Sequence, residues 1–145
     1  MKTIIYLVMI SAMIIVFACS SPKAEVQENP YEGAWVQTYI KYGRPDSIIE
    51  RTQFENPDIK LLTKKHYAFG HQSGENEIYG GGGEYSFKED TFISYPKYHT
   101  SSGVVGKTVV WKSKIEGDLW TISTVIIRKD SVKIERTQIW KRIPE

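Results

Sequence analysis

The feature that most limits this chain is its rhythm. From residue 33 onward, short segments alternating apolar or aromatic with polar residues recur about every ten residues, each closed by a turn-forming cluster. They span residues 33–42, 59–63, 66–71, 78–87, 92–98, 107–115, 119–127 and 132–143, with turns such as Gly43-Arg44-Pro45-Asp46, Lys88-Glu89-Asp90 and Glu116-Gly117-Asp118 between them. Alternation with period 2 is the signature of strands with one face buried. Residues 47–56 fit neither the strand nor the helix period and stay open between a strand and one or two helical turns. Eight strands with hairpin-length connections close most simply as an up-and-down antiparallel barrel, which also removes the exposed sheet edges; a sandwich is the alternative. The run Gly80-Gly81-Gly82-Gly83 inside the fourth segment suits a strand bent hard at a barrel corner. The interior of such a barrel is filled by side chains or holds one small ligand.

Ahead of this domain, Met1-Lys2-Thr3 gives a short positive start and residues 4–17 are apolar apart from Ser11. That is shorter than the roughly 20 residues of a membrane span and has the form of an export signal. It ends in Val16-Phe17-Ala18-Cys19, which resembles the lipobox of bacterial lipoproteins, where the cysteine is lipidated and becomes the new N-terminus. The resemblance implies cleavage after residue 18, a lipid on Cys19, and membrane attachment in a bacterial cell envelope, with the outer membrane as the expected site. Two or more acyl chains hold a protein stably, since each buried methylene contributes about 0.8 kcal/mol. Residues 19–30 are polar, contain Pro22 and Pro30, and read as a flexible tether; residues 31–145 form the expected domain. Cys19 is the chain's one cysteine, so neither an internal disulfide nor a cysteine-rich zinc site is available.

With 19 basic and 17 acidic side chains the net charge is +2, which gives no sign of a nucleic-acid partner. Residues 107–145 are the more basic portion, a weak pointer to a protein partner on the outer surface. Catalytic signatures are missing. Ser101 to Thr108 approaches a phosphate-binding loop but lacks its first glycine and runs into a strand pattern where that loop needs a helix. There is no G-x-S-x-G elbow and no reactive cysteine, and the paired carboxylates lie in polar turns. His66 and His71, five apart along one strand, point to opposite faces and cannot share a metal; solvated or capped surface histidines are expected over a cross-strand site of His99 with a carboxylate, with no metal and no cofactor. The expectation is a protein without enzymatic activity.

Setting aside Tyr6 and Phe17 of the expected signal, four tryptophans, eight tyrosines and four phenylalanines are many for so small a domain. By strand parity Trp35, Gln37 and Tyr39 share a face, as do Tyr85 and Phe87, Val109 and Trp111, and Arg136, Gln138 and Trp140. Such faces mix large aromatics with polar groups, which suits either a packed core or a cavity that orients a small amphipathic molecule. Trp35, Gln37, Tyr39, Tyr85, Trp111, Arg136 and Gln138 are therefore the candidate ligand-binding residues. A hollow interior favours that role; a filled one favours a solid scaffold for protein-protein interaction in the envelope.

Gly33-Ala34-Trp35 at the first strand resembles the G-x-W signature of the lipocalin and calycin barrels, and Trp140-Lys141-Arg142 resembles their closing segment. The order of Leu62-Thr63-Lys64-Lys65-His66-Tyr67, Gly82-Gly83-Glu84-Tyr85, Gly106-Lys107-Thr108, Gly117-Asp118-Leu119-Trp120 and Ile139-Trp140-Lys141-Arg142 is similar to lipocalin-like lipoproteins of Bacteroidetes over about residues 31–143. This implies an eight-stranded barrel closed by Trp35, Trp140 and Arg142, with Arg142 or Arg136 stacked on Trp35. One departure is Ser94, where that group often carries a glutamate.

Overall fold

The computed structural model describes residues 28–127 and 131–144; the expected signal, Cys19 and the tether up to residue 27 lie outside these. Nine strands follow in order: β1 (Gly33–Arg44), β2 (Ser47–Arg51), β3 (Ile59–Leu62), β4 (His66–Gly74), β5 (Glu77–Lys88), β6 (Thr91–His99), β7 (Val109–Glu116), β8 (Leu119–Ile127) and β9 (Lys133–Arg142). Each pairs antiparallel with its sequence neighbour from β3 to β9, and β9 pairs with β1, which closes the barrel. The eight segments read from the sequence are all strands, with ends shifted by at most a few residues.

The undecided segment is partly strand. β2 pairs with Ile40 to Arg44 of β1, while β3 pairs with Gly33 to Val36. Because β9 occupies the other edge of β1 along Trp35 to Gly43, β2 and β3 must share one edge, so they form a single stave broken at residues 52–58. Nine strands thus make an eight-stave barrel. All five residues of β2 are exposed, which explains why no periodicity marks it.

A bulge interrupts the β1–β9 register between Gln37 and Tyr39. The extra residue reverses the alternation. Trp35 and Gln37 face inward, but beyond the bulge the inward positions are Ile40 and Tyr42, so Tyr39 falls out of phase with the face it was expected to share. A second irregularity lies between Gly82 and Gly83 in the β5–β6 ladder. There the strands crowd: a Cβ on Gly82 would lie 2.6 Å from the Tyr67 carbonyl oxygen, nearer than two such atoms can approach. The glycine run is a place of close approach, where Gly80 and Gly83 meet neighbouring backbone and Gly81 and Gly82 leave room for the His99 and Tyr98 side chains.

One end of the barrel is packed solid. Trp35, Trp120, Tyr85 and Phe92 are buried there, with Tyr31 inserted among them from just before β1. Tyr31 lies 5.0 Å from Phe87, 5.2 Å from Trp120 and 5.3 Å from Phe92, ring centre to ring centre. Its hydroxyl and the Trp120 indole N–H both meet Ser113 Oγ, at 2.8 and 2.9 Å, and its carbonyl accepts from Trp35 Nε1 at 2.9 Å. The end of the expected tether belongs to this plug: Asn29 Nδ2 donates to Tyr85 Oη at 2.6 Å, and Pro30 offers its carbonyl to Arg142 at 2.8 Å.

Arg142 seals that end. Its guanidinium carbon sits 4.1 Å above the Trp35 ring while its nitrogens donate to the carbonyls of Glu32 and Pro30, at 2.7 and 2.8 Å. Gly33, at φ +117°, brings its backbone under the guanidinium, 3.1 Å from where a Cβ would be. The cation-π contact and the two charge-assisted hydrogen bonds act on the same segment. Arg142→Met is therefore expected to destabilise the barrel by about 2 kcal/mol, with Arg142→Lys recovering less than half because an ammonium lacks the planar fork. Urea midpoints of the three proteins check this.

Candidate functional site

The other end of the barrel is hollow. An inner chamber of about 100 Å³ is bounded by Lys60, Tyr67, Phe69, Ser94, Trp111, Gln138 and Trp140, among others. It meets an outer basin of about 630 Å³, and Arg136 and Ile126 line both. The basin has Gln37, Ile40, Tyr42, His71 and Tyr79 on its barrel side, and Gln53 to Asn56 from the break between β2 and β3 along its rim. The broken stave opens the mouth: β4 pairs with β3 only through Tyr67 to Gly70, and no ladder joins its outer half to β2.

The most unusual group inside is Lys60. In β3 the side chains of Ile59 and Leu61 are 38% and 54% exposed, whereas Lys60 is 7% exposed and shares the inner face with Leu62. Its ammonium lies 3.9 Å from the Trp140 ring centre, 4.9 Å from Trp120 and 5.9 Å from Phe69. Three ring faces partly replace the water this cation has lost. Burial, with the Arg136 guanidinium nearby, holds its pKa down to about 7; Asp58 acts in the opposite sense. The same burial and the same guanidinium lower His99, and burial pushes Tyr67 up to about 12.

Asp58, just before β3, is buried and accepts a hydrogen bond from His71 Nδ1 at 2.6 Å. His71 is thus a half-buried histidine capped by a carboxylate at the basin wall. His99 is also turned inward, 5.6 Å from Phe69 and 5.5 Å from Tyr79. His66 is exposed. Among the described residues no cluster of three or more histidine, cysteine, aspartate or glutamate side chains is placed to hold a metal. Residues 101–108 form a single 3-10 turn (Ser102–Val104) ahead of β7, so no helix follows the near-match to a phosphate loop.

The predicted site residues separate into two groups. Trp111, Arg136 and Gln138 line the inner chamber, and Gln37 lines the basin. Trp111 Nε1 donates to Ser94 Oγ at 3.2 Å, so Ser94 sits on the chamber wall where the resembling group often has a glutamate. Trp35 and Tyr85 belong instead to the packed end, and Tyr39 lines neither space. Trp140, expected at the closure, forms chamber wall and is the main ring against Lys60. Of the two arginines considered for Trp35, Arg142 holds the position and Arg136 stands in the cavity. Sequence reasoning missed Lys60, Asp58, His71 and His99.

Fold and site together define a small closed β-barrel, plugged at one end and open at the other, whose hollow half is aromatic and net basic. A solved structure of an uncharacterized protein from Bacteroides eggerthii DSM 20697 is similar to it, at 12% sequence identity and a TM-score of 0.50, over 78% of this chain and 99% of that one. That likeness is one of fold. No protein-family model and no curated protein matches the chain.

Proposed function

We propose that this is an envelope-anchored, lipocalin-like lipoprotein whose barrel binds a small amphipathic molecule without transforming it. The observation that carries the reading is the division of the interior. A scaffold barrel has no use for a hollow half, and keeping buried polar groups around a cavity costs stability that a packed apolar core does not. The basin's volume of about 630 Å³ lies within the range of small-molecule sites. The signal and Cys19 motif supply the anchor in this reading, and the Bacteroides neighbour is in keeping with the bacterial lineage that the motifs resemble.

Trp111 and Trp140 border the cavity, so their fluorescence should report binding. Titration of the purified protein with long-chain acids and alcohols is expected to quench or shift tryptophan emission saturably. Trp111→Ala is expected to weaken binding about tenfold, since truncating one large contact ring is worth roughly 1 to 2 kcal/mol. No saturable change with any amphiphile, together with a crystal structure whose side chains fill the chamber, would rule the function out.

A further inference from the structure

A lysine ammonium is a compact, strongly hydrated charge, so an interior lysine ordinarily comes paired with a carboxylate. Lys60 does not. None of the ion pairs among the described residues involves it, and the buried carboxylate just before its strand, Asp58, is engaged by His71. What surrounds its nitrogen is aromatic, the rings of Trp140, Trp120 and Phe69, with the Arg136 guanidinium acting against its charge. Apolar walls and a neighbouring cation are the two conditions that leave a lysine amine neutral and nucleophilic. Lys60 is the one buried lysine among the described residues, and it borders the inner chamber, which opens past Arg136 and Ile126 into the basin. Two donors of β9 on the same chamber, Trp140 Nε1 and Arg136 Nε, have no partner among the described residues. Both can only donate, so they suit an oxygen that accepts, and more so one on which negative charge develops.

We infer that Lys60 captures an apolar aldehyde as a reversible imine, with the aldehyde's chain lying in the outer basin. This rests on the ligand-binding reading above and names the reactive group of the ligand. The amine attacks the carbonyl carbon, the C=O π bond opens, and one N–H proton passes to the oxygen, which the free donors of β9 can hold as its charge grows. The resulting hydroxyl leaves as water with the second N–H proton, and a C=N bond remains. No oxidant or reductant is consumed, and hydrolysis returns the aldehyde unchanged, so the ligand is held and released without net transformation. Size agrees: about 100 Å³ holds the carbonyl and a few carbons, while the basin offers Ile40, Phe54, Ile126 and Ile134 to the chain.

The test incubates the purified protein with one equivalent of dodecanal and sodium cyanoborohydride at pH 7, then maps the modified lysine by mass spectrometry. A single dodecyl group is expected, on Lys60, formed at least about tenfold faster than on any other lysine. At pH 7 a lysine near its midpoint offers on the order of a thousand times more free amine than one titrating near 10.4, and its weaker basicity returns only part of that gain. Excess 1-dodecanol should slow the labelling of Lys60 and leave that of the surface lysines unchanged. Lys60→Met should lose the fast labelling while binding 1-dodecanol, by tryptophan fluorescence, within about threefold of the unsubstituted protein. Labelling spread over the surface lysines with Lys60 unmodified, in a protein that binds dodecanol, overturns the imine site and leaves the amphiphile reading standing. Neither dodecanol binding nor modification of Lys60 in the unsubstituted protein overturns both.

Discussion

Trp120→Ala is expected to cost the barrel about 3 to 5 kcal/mol, the range for deleting a fully buried tryptophan. Trp120 is 0% exposed and is the hub of the packed end. Its ring lies 5.2 Å from Tyr31, 5.4 Å from Trp35 and 5.1 Å from Phe92, and its N–H is bonded to Ser113. Truncation empties the centre of the plug, and the staves cannot collapse inward because their backbones are fixed by ladders on both sides. At roughly 3 to 6 °C per kcal/mol for a domain between the small and mid-sized classes, the melting temperature should fall by at least about 9 °C. Trp111→Ala supplies the contrast, since Trp111 is half-buried and borders space that is already hollow; its penalty should be about half as large. Equal losses for the two would mean that the interior is not divided into a packed and a hollow half.

That division is also where the sequence stopped being legible. Period-2 alternation and the turn clusters located eight strands and pointed to closure, because both signals are local and the ladder needs nothing else. What they could not supply is which face turns inward, and two features defeat the inference. The bulge beyond Gln37 inserts one residue and exchanges the faces of β1, so Tyr39 leaves the interior and Ile40 and Tyr42 replace it. In β3 the apolar residues Ile59 and Leu61 face out and Lys60 faces in, the reverse of what hydrophobicity suggests. A lysine there is decipherable only once Phe69, Trp120 and Trp140, from three other strands, are known to surround it. Closure by an arginine on Trp35 was legible for a different reason: the resemblance to lipocalin barrels implies it for Arg142 or Arg136, and the geometry places Arg142 there.

The second large effect follows from the same lysine and concerns pH. Unfolded, the Lys60 ammonium titrates near 10.4; folded, burial brings it to about 7. Between these values the unfolded chain holds the proton more often than the folded one, so the contribution to stability rises as pH rises through that interval. Below about pH 7 both states are charged and the full penalty applies, on the order of 3 to 5 kcal/mol; above about pH 10.5 both are neutral and it vanishes. Lys60→Met keeps the chain length and the contacts with the Trp140 and Phe69 rings but carries no charge, so it should be more stable than the unsubstituted protein at pH 6. Lost cation-π attraction reduces the net gain to about 2 to 4 kcal/mol. Raising the pH should narrow the gap by up to about 1.4 kcal/mol per unit between pH 7 and 10, closing it at about pH 8.5 to 10. Asp58, Arg136, His71, His99 and Tyr67 also face this interior and are the same in both proteins. Urea unfolding of both at pH 6, 7, 8 and 9 measures the gap directly. A gap that does not change with pH would mean that Lys60 is solvated in the folded state, and the case for a desolvated cation at the head of the cavity would go with it. A gap that closes as described means that the barrel keeps a desolvated lysine inside at a cost of several kcal/mol below about pH 7.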